Sequence, residues 1–318
     1  MKRTFNVLVG LTLTLGLLSS CGDSKSKFNR TDTYNSGTIA FASDESFSPI
    51  IDQEVLIFMT DRPKATLEPI YTNELDAINM VLQDSICLAI TSRDFTQKQK
   101  EAVKAKHPTA ASFPIGYDGL ALIVNTSNPD TCITVNDIKR ILTGEVTKWS
   151  DIYPSSKLGD IKVVFDNNQS STVRWCEDSI LGGKPIENPN ISAVERSAEV
   201  VDFVESHANS IGIIGSNWLK NKRDSTNITF KKNITVMAVS KEATATPANS
   251  FKPYQYYLYT GEYPLIRTIY VLLVDPLRGL PFAFSNFLSS PKGQLIIYHS
   301  GLLPYRGDIT VRTVNVSQ

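Results

Sequence analysis

The chain is poor in the residue types from which most catalytic and metal sites are built. Its 318 residues include 4 cysteines and 3 histidines. His107, His207 and His299 are scattered, and no cysteine pair has metal-ligand spacing, so no metal site is expected. Gly-x-Ser-x-Gly, His-Glu-x-x-His and Gly-x-x-x-x-Gly-Lys are all missing, so no catalytic residue is assigned. Charge of one sign is missing too. Lys and Arg number 32, as do Asp and Glu, which leaves no overall field to attract nucleic acid or an acidic membrane surface. No 20-to-50-residue repeat is visible, and no low-complexity linker separates one part of the chain from another. Two lobes made by a chain that crosses back and forth would need hinge strands rather than a tether.

The N-terminus is more specific. Lys2 and Arg3 precede an apolar stretch from Phe5 to Leu18 that is too short to cross a bilayer. Leu18-Ser19-Ser20-Cys21 follows. Residues 1–20 therefore read as a signal peptide ending in a motif that resembles a bacterial lipobox, with Cys21 as the lipidated residue. Lipid chains would then hold the protein to a membrane of the cell envelope, facing the periplasm. Residues 21–37 are small and polar and read as a flexible tether. About 280 residues remain, enough for two lobes with substantial cores. Past the anchor stand Cys87, Cys132 and Cys176, an odd number that permits at most one disulfide. Cys87 lies in an apolar run and reads as a small buried hydrophobe.

Strand and helix patterns alternate along the chain. Strands are predicted at Thr38 to Ala42, Leu67 to Thr72 and Ile86 to Thr91. Helices are predicted at Ser46 to Met59, with Pro49 in the first turn, and at Asn73 to Gln83. This βαβαβ run argues for a helix-covered, mostly parallel sheet. Further strands are expected at Leu120 to Asn125, Ile161 to Phe165, Ile211 to Ile214, Thr235 to Ser240 and Thr268 to Val274. Further helices are expected at Thr134 to Thr143, Thr172 to Leu181, Val200 to His207, Leu280 to Leu288 and Pro291 to His299.

Several segments carry a resemblance. Gly116-Tyr117-Asp118-Gly119 leads an apolar run to Asn125. Asn128-Pro129, Leu142-Thr143-Gly144 and Trp149-Ser150-Asp151 follow. Further on come Ile211-Gly212, Tyr263-Pro264-Leu265-Ile266-Arg267, Ser290-Pro291-Lys292-Gly293-Gln294 and Gly301-Leu302-Leu303-Pro304. In this order they resemble the phosphate-binding proteins of bacterial ABC transporters, of the type II periplasmic solute-binding protein superfamily. The resemblance implies an α/β fold of two lobes, each a helix-covered mixed sheet, with two hinge crossings near Phe113 to Gly116 and Tyr259 to Leu265. One lobe would hold residues 38–115 and 262–318, the other 116–261. It also implies a monomer that closes on a small inorganic anion, phosphate foremost, with an ABC transporter permease as partner and no cofactor.

In that family three loops at helix starts converge on the anion, because free N–H groups and the helix dipole favour negative charge there. The matching positions are Ser43, Glu45 and Ser46 in the first loop and Ser92 and Arg93 in the second. The third loop offers Asp166, Ser170, Ser171 and Thr172, with Arg174 one turn on. The same residues have plainer readings. Asp44 and Glu45 suit a helix start, Ser170 and Thr172 suit caps, and Arg93 suits a structural pair with Asp94 or another carboxylate. Asp166 stands where the family usually has Arg. Either it pairs with Arg93 or Arg174, or it accepts the proton of a monoprotonated oxyanion. A structural or cleft-lining role is expected for Asp118. Two other functions share this sequence: a same-fold sensor or partner-binding lipoprotein, and a phosphate-ester hydrolase using Ser92 or Ser170, for which no base is in sight.

Overall fold

Short apolar runs place the buried strands, and side-chain caps start several of the helices. The computed structural model describes residues 30–220 and 230–307. The expected signal peptide and Cys21 therefore lie outside the described residues. In chain order the elements are β1 (Gly37–Asp44), α1 (Ser48–Asp61), β2 (Ala65–Thr72), α2 (Glu74–Leu82), β3 (Leu88–Thr91), α3 (Gln97–Lys106) and β4 (Ala111–Asn125). There follow β5 (Cys132–Thr134), α4 (Val135–Leu142), β6 (Lys162–Phe165), α5 (Ser171–Ser179), β7 (Ile191–Ala193), α6 (Ser197–Ser206) and β8 (Ser210–Gly215). The last are β9 (Ile234–Val236), β10 (Ala238–Ser240), α7 (Gln255–Tyr259), β11 (Ile266–Leu273), α8 (Leu280–Leu288), α9 (Pro291–His299) and β12 (Leu303–Pro304). The described residues from Asp32 onward form a single unit. Among the described residues no helix is long and apolar enough to cross a membrane.

The main sheet is mixed, in the order β2-β1-β3-β11-β4-β8-β6-β7. β1 pairs in parallel with β2 and β3, and β6 does the same with β7 and β8. The long strand β4 joins the two halves. Its first part runs antiparallel to β11 and its second part antiparallel to β8. Each half has its own apolar core. One gathers Phe41, Phe47, Phe58, Phe284 and Leu288 around β1, α1 and α8. The other gathers Leu122, Trp149, Phe165, Ile211 and Tyr263. This is the expected α/β architecture of two lobes.

Local chemistry explains most boundaries. Asn73 caps α2 by accepting from Asp76 N–H, Thr134 caps α4 and Ser170 caps α5. Gly144 takes a positive φ of 75° just past α4, which a side chain would resist. Four expectations need correction. The helix placed at Ser46 begins as a 3-10 turn at Glu45–Phe47 and becomes α-helical at Ser48, because Asp44 caps Ser46 N–H. The single strand placed at Thr235 to Ser240 is two short ones: β9 pairs with β4, whereas β10 pairs with β5 in a separate two-stranded sheet. The helix α3 was not anticipated, although Thr96 and Gln99 form a capping box at its start. The end of the polar stretch 21–37 is docked, since Leu280 N–H donates to Asp32 Oδ2 at 2.6 Å and Tyr34 meets the Phe282 ring edge-on. Cys132 and Cys176 are free thiols, and Cys87 is buried in the core.

Candidate functional site

In the mixed sheet β1 and β3 run one way and β6, in the other half, runs the opposite way. The loops that follow them meet, with Ser46 against Ser171 and Ser92 against Arg174. This is the crevice where open α/β sheets hold ligands. A cavity of about 620 Å³ opens at this place, lined among others by Asp44, Glu45, Tyr71, Asp166, Ser170, Arg196 and Trp218. That volume falls within the range of small-molecule sites.

The first and third loops touch. Ser46 Oγ lies 3.4 Å from Ser171 Oγ, and the Ser46 carbonyl accepts from Asn217 Nδ2 and Trp218 Nε1, both at 2.9 Å. Glu45 reaches across to the start of α6, where Oε2 accepts from Ser197 N–H at 3.2 Å and Ser197 Oγ at 2.6 Å. Ser43 is fully buried and its hydroxyl donates to the Asp44 carbonyl. Asp44 is buried as well, with Oδ2 lacking a hydrogen-bond partner. Burial pushes its carboxyl up to about 6, against the opposing pull of the Arg267 guanidinium.

The second loop is drawn to a residue that the sequence did not single out. Glu74, at the start of α2, accepts from Ser92 N–H at 2.8 Å and Ser92 Oγ at 2.7 Å. Arg174 Nε reaches its other oxygen at 2.5 Å, and Arg93 Nε lies 3.6 Å from that same atom. Arg93 is thus paired with a carboxylate, but Glu74 rather than Asp94, which instead takes Lys100 at 2.6 Å.

Asp166 pairs with neither Arg93 nor Arg174, contrary to one expectation, because Glu74 claims both. Its contacts are a backbone N–H at Asn167 and the hydroxyls of Thr172 and Ser197, the latter two at 3.3 Å. Burial raises its carboxyl above the ordinary carboxylate range, opposed by hydrogen bonding from Ser170. Glu45 is shifted upward for the same reason, opposed by Ser197. Ser170 Oγ is occupied in capping α5 through Val173 N–H at 3.2 Å.

Behind these loops lies a buried ion pair that sequence reasoning also missed. Arg267 donates from Nη2 to Asp118 Oδ2 at 2.8 Å and from Nε at 3.0 Å. Its Nη1 donates to Ser171 Oγ at 2.8 Å, and its guanidinium stacks over Phe47, 4.5 Å from the ring centroid. Asp118 Oδ1 accepts from Ser216 N–H and Oγ. A legible signal existed: Arg267 interrupts the apolar strand Ile266–Leu273, and a charge at such a position needs a partner. Strand register supplies it, for Arg267 faces Asp118 directly.

The profile of the PBP superfamily domain matches residues 29–292. The chain belongs to the PBP superfamily. Relatives of this PBP-superfamily chain include the phosphate-binding protein PstS of Borreliella burgdorferi, 23% identical over 87% of this chain and 93% of that protein. The PstS of Bacillus subtilis is 21% identical over the full length of both. Solved structures of similar fold include a Clostridium perfringens protein described as a substrate-binding protein of phosphate ABC transport, with bound phosphate. It superposes with a TM-score of 0.71 at 20% identity, over 85% of this chain and all of that one. An ABC-type phosphate transport receptor from Vibrio cholerae has a TM-score of 0.63 at 19% identity, over 84% of this chain and all of that one.

Proposed function

We propose that this chain is an extracytoplasmic solute-binding lipoprotein that captures phosphate or a similar small oxyanion in its cleft for uptake by an ABC transporter. One observation carries the reading. The loops after β1 and β6 line one cavity, the first loop through Asp44 and Glu45 and the third through Asp166, Asn167 and Ser170. The buried hydroxyls of Ser46, Ser171 and Thr172 lie on the same two loops, and Ser92, on the loop after β3, meets Arg174 of α5. N–H groups at helix starts, hydroxyl donors and nearby guanidinium groups are the donor set that an oxyanion requires. PstS relatives matched over most of their length support the same ligand class. We assign the lobes to residues 38–115 with 262–318 and to residues 116–261, with β4 as one crossing and with Tyr263, just past the return boundary, packed into the core of the second lobe. Cys21 would be the lipid anchor, the cell envelope the location, a permease the membrane partner and a monomer the working unit. The role is binding, not turnover.

A same-fold protein with a different ligand is favoured by one feature. Asp44, Glu45, Asp52, Asp166 and Glu195 all line the cavity, and carboxylates oppose a divalent anion. Calorimetric titration of the purified protein with phosphate, sulfate, molybdate and tungstate separates the two. Saturable binding of at least one oxyanion is expected, and silence with all four would overturn the transport reading. Release of product from a chromogenic phosphate ester would turn the assignment toward an enzyme.

A further inference from the structure

We propose that Glu74 is a surrogate ligand of the cleft, whose carboxylate occupies oxyanion donors and holds the two lobes together when no ligand is bound. This inference rests on the functional reading above, and it concerns how that site is regulated.

The environment of Glu74 is that of a captured anion. It is 3% exposed and receives a backbone N–H and a hydroxyl from Ser92. It also receives a guanidinium fork from Arg174, through Nε at 2.5 Å and Nη2 at 3.4 Å. Arg93 stands 3.6 Å away. A carboxylate offers about four acceptor positions, so these donors leave little of Glu74 unused. Ser92 and Arg93 also stand in the second loop that the family resemblance expects at the ligand, and Arg174 lies one turn beyond the third. The donors are further fixed in place, since Arg174 Nη2 donates to Ser92 Oγ at 2.8 Å and Arg174 Nη1 to Asp178 at 2.8 Å.

The contact crosses the cleft. Glu74 starts α2, which follows β2 in one half of the sheet, while Arg174 lies on α5, which follows β6 in the other. Glu45 makes a second crossing of the same kind to the start of α6. In each case an internal carboxylate from the β1–β3 side fills donors on the β6–β8 side. An incoming oxyanion must displace Glu74 or bind with fewer donors, and a competing occupied state reduces apparent affinity in proportion to its population. Closure then needs no ligand, unlike the simplest hinge scheme.

Glu74→Gln and Glu74→Ala test this with the mature protein, the first being nearly isosteric so that folding is preserved. Inorganic phosphate and sulfate are titrated by calorimetry, and the radius of gyration of the empty forms is measured by small-angle scattering. The expected result is tighter oxyanion binding in both variants, by roughly 10-fold or more, the scale of one lost competing charge-assisted contact. The empty variants should also be more expanded than the empty wild type. Unchanged or weaker affinity in both variants overturns the surrogate role and leaves Glu74 as a structural partner. If neither wild type nor variant binds phosphate or sulfate, the ligand assignment fails, and scattering alone decides. An empty-form radius unmoved by both substitutions and by Arg174→Leu then overturns the latch as well.

Discussion

Replacing Arg267 by Met should expose how much of the cleft rests on one buried ion pair. Both side chains of the Arg267–Asp118 pair are 0% exposed, with Nη2 and Oδ2 2.8 Å apart. At an effective dielectric near 20 the attraction at that distance is about 6 kcal/mol, but the cost of desolvating both ions removes most of it. The intact pair is therefore worth little against a well-packed apolar alternative. Breaking it is different. Arg267→Met leaves Asp118 with the two Ser216 donors and no counter-charge, and frees Ser171 Oγ from its guanidinium donor. The loss should be about 3–5 kcal/mol. At ~2–4 °C per kcal/mol for domains of this order of size, the melting point falls by roughly 6–20 °C. Urea unfolding followed by circular dichroism measures it. Asp118→Asn combined with Arg267→Met should recover part of the loss, giving a coupling of about 1–3 kcal/mol. A loss under ~1 kcal/mol in the single variant, as for an exposed pair, would refute the argument.

Glu54 is fully buried on α1 with both oxygens lacking a hydrogen-bond partner, and burial pushes its carboxyl up to about 9. The folded state holds a proton that the unfolded state releases near pH 4.5, so stability is lost as pH rises from about 4.5 to about 9, roughly 4 kcal/mol between pH 5 and 8; this dependence should flatten in Glu54→Gln, as read by urea unfolding at several pH values. A Cβ at Gly215 would lie 2.7 Å from both Arg267 Nη2 and Asp118 Oδ2. Gly215→Ala should therefore cost about 1–3 kcal/mol, and a neutral result in thermal melts would mean that the pair can shift freely. Asp166→Asn should lower the ratio of phosphate to sulfate affinity measured by titration, because the carboxylate that could accept a ligand proton is lost. Equal tightening toward both anions would instead identify Asp166 as a charge that merely opposes them.

Much of the secondary structure was legible from residues close in sequence. The strands around Phe41, Ile90 and Ile213 and the helices α8 and α9 follow from apolar spacing and from caps such as Ser290. The helix α3 escaped because its face is nearly all charged or polar, with Val103 as its one buried residue. Thr235 to Ser240 is one β-prone run in the sequence, and only its two different pairing partners divide it. The strand-to-helix loops proposed for the site were legible as loops, since Ser46, Ser170 and Thr172 sit where strands end and helices begin. Their partners were not.

By itself the sequence determined the alternation of strand and helix, the absence of a recognisable catalytic motif, and the three loops that carry hydroxyls and charge. Those properties depend on neighbours two to four positions away, which any reader of the chain can see. The tertiary structure decided where the charges go. Arg267 and Asp118 are 149 positions apart, Arg174 and Glu74 100, and Arg174 and Ser92 82. A buried charge takes whatever opposite charge or donor the strand register and the packing of the lobes bring within about 3 Å, because leaving it unpaired costs several kcal/mol. That choice is made by the sheet order and the closure of the cleft, neither of which any local stretch of residues encodes.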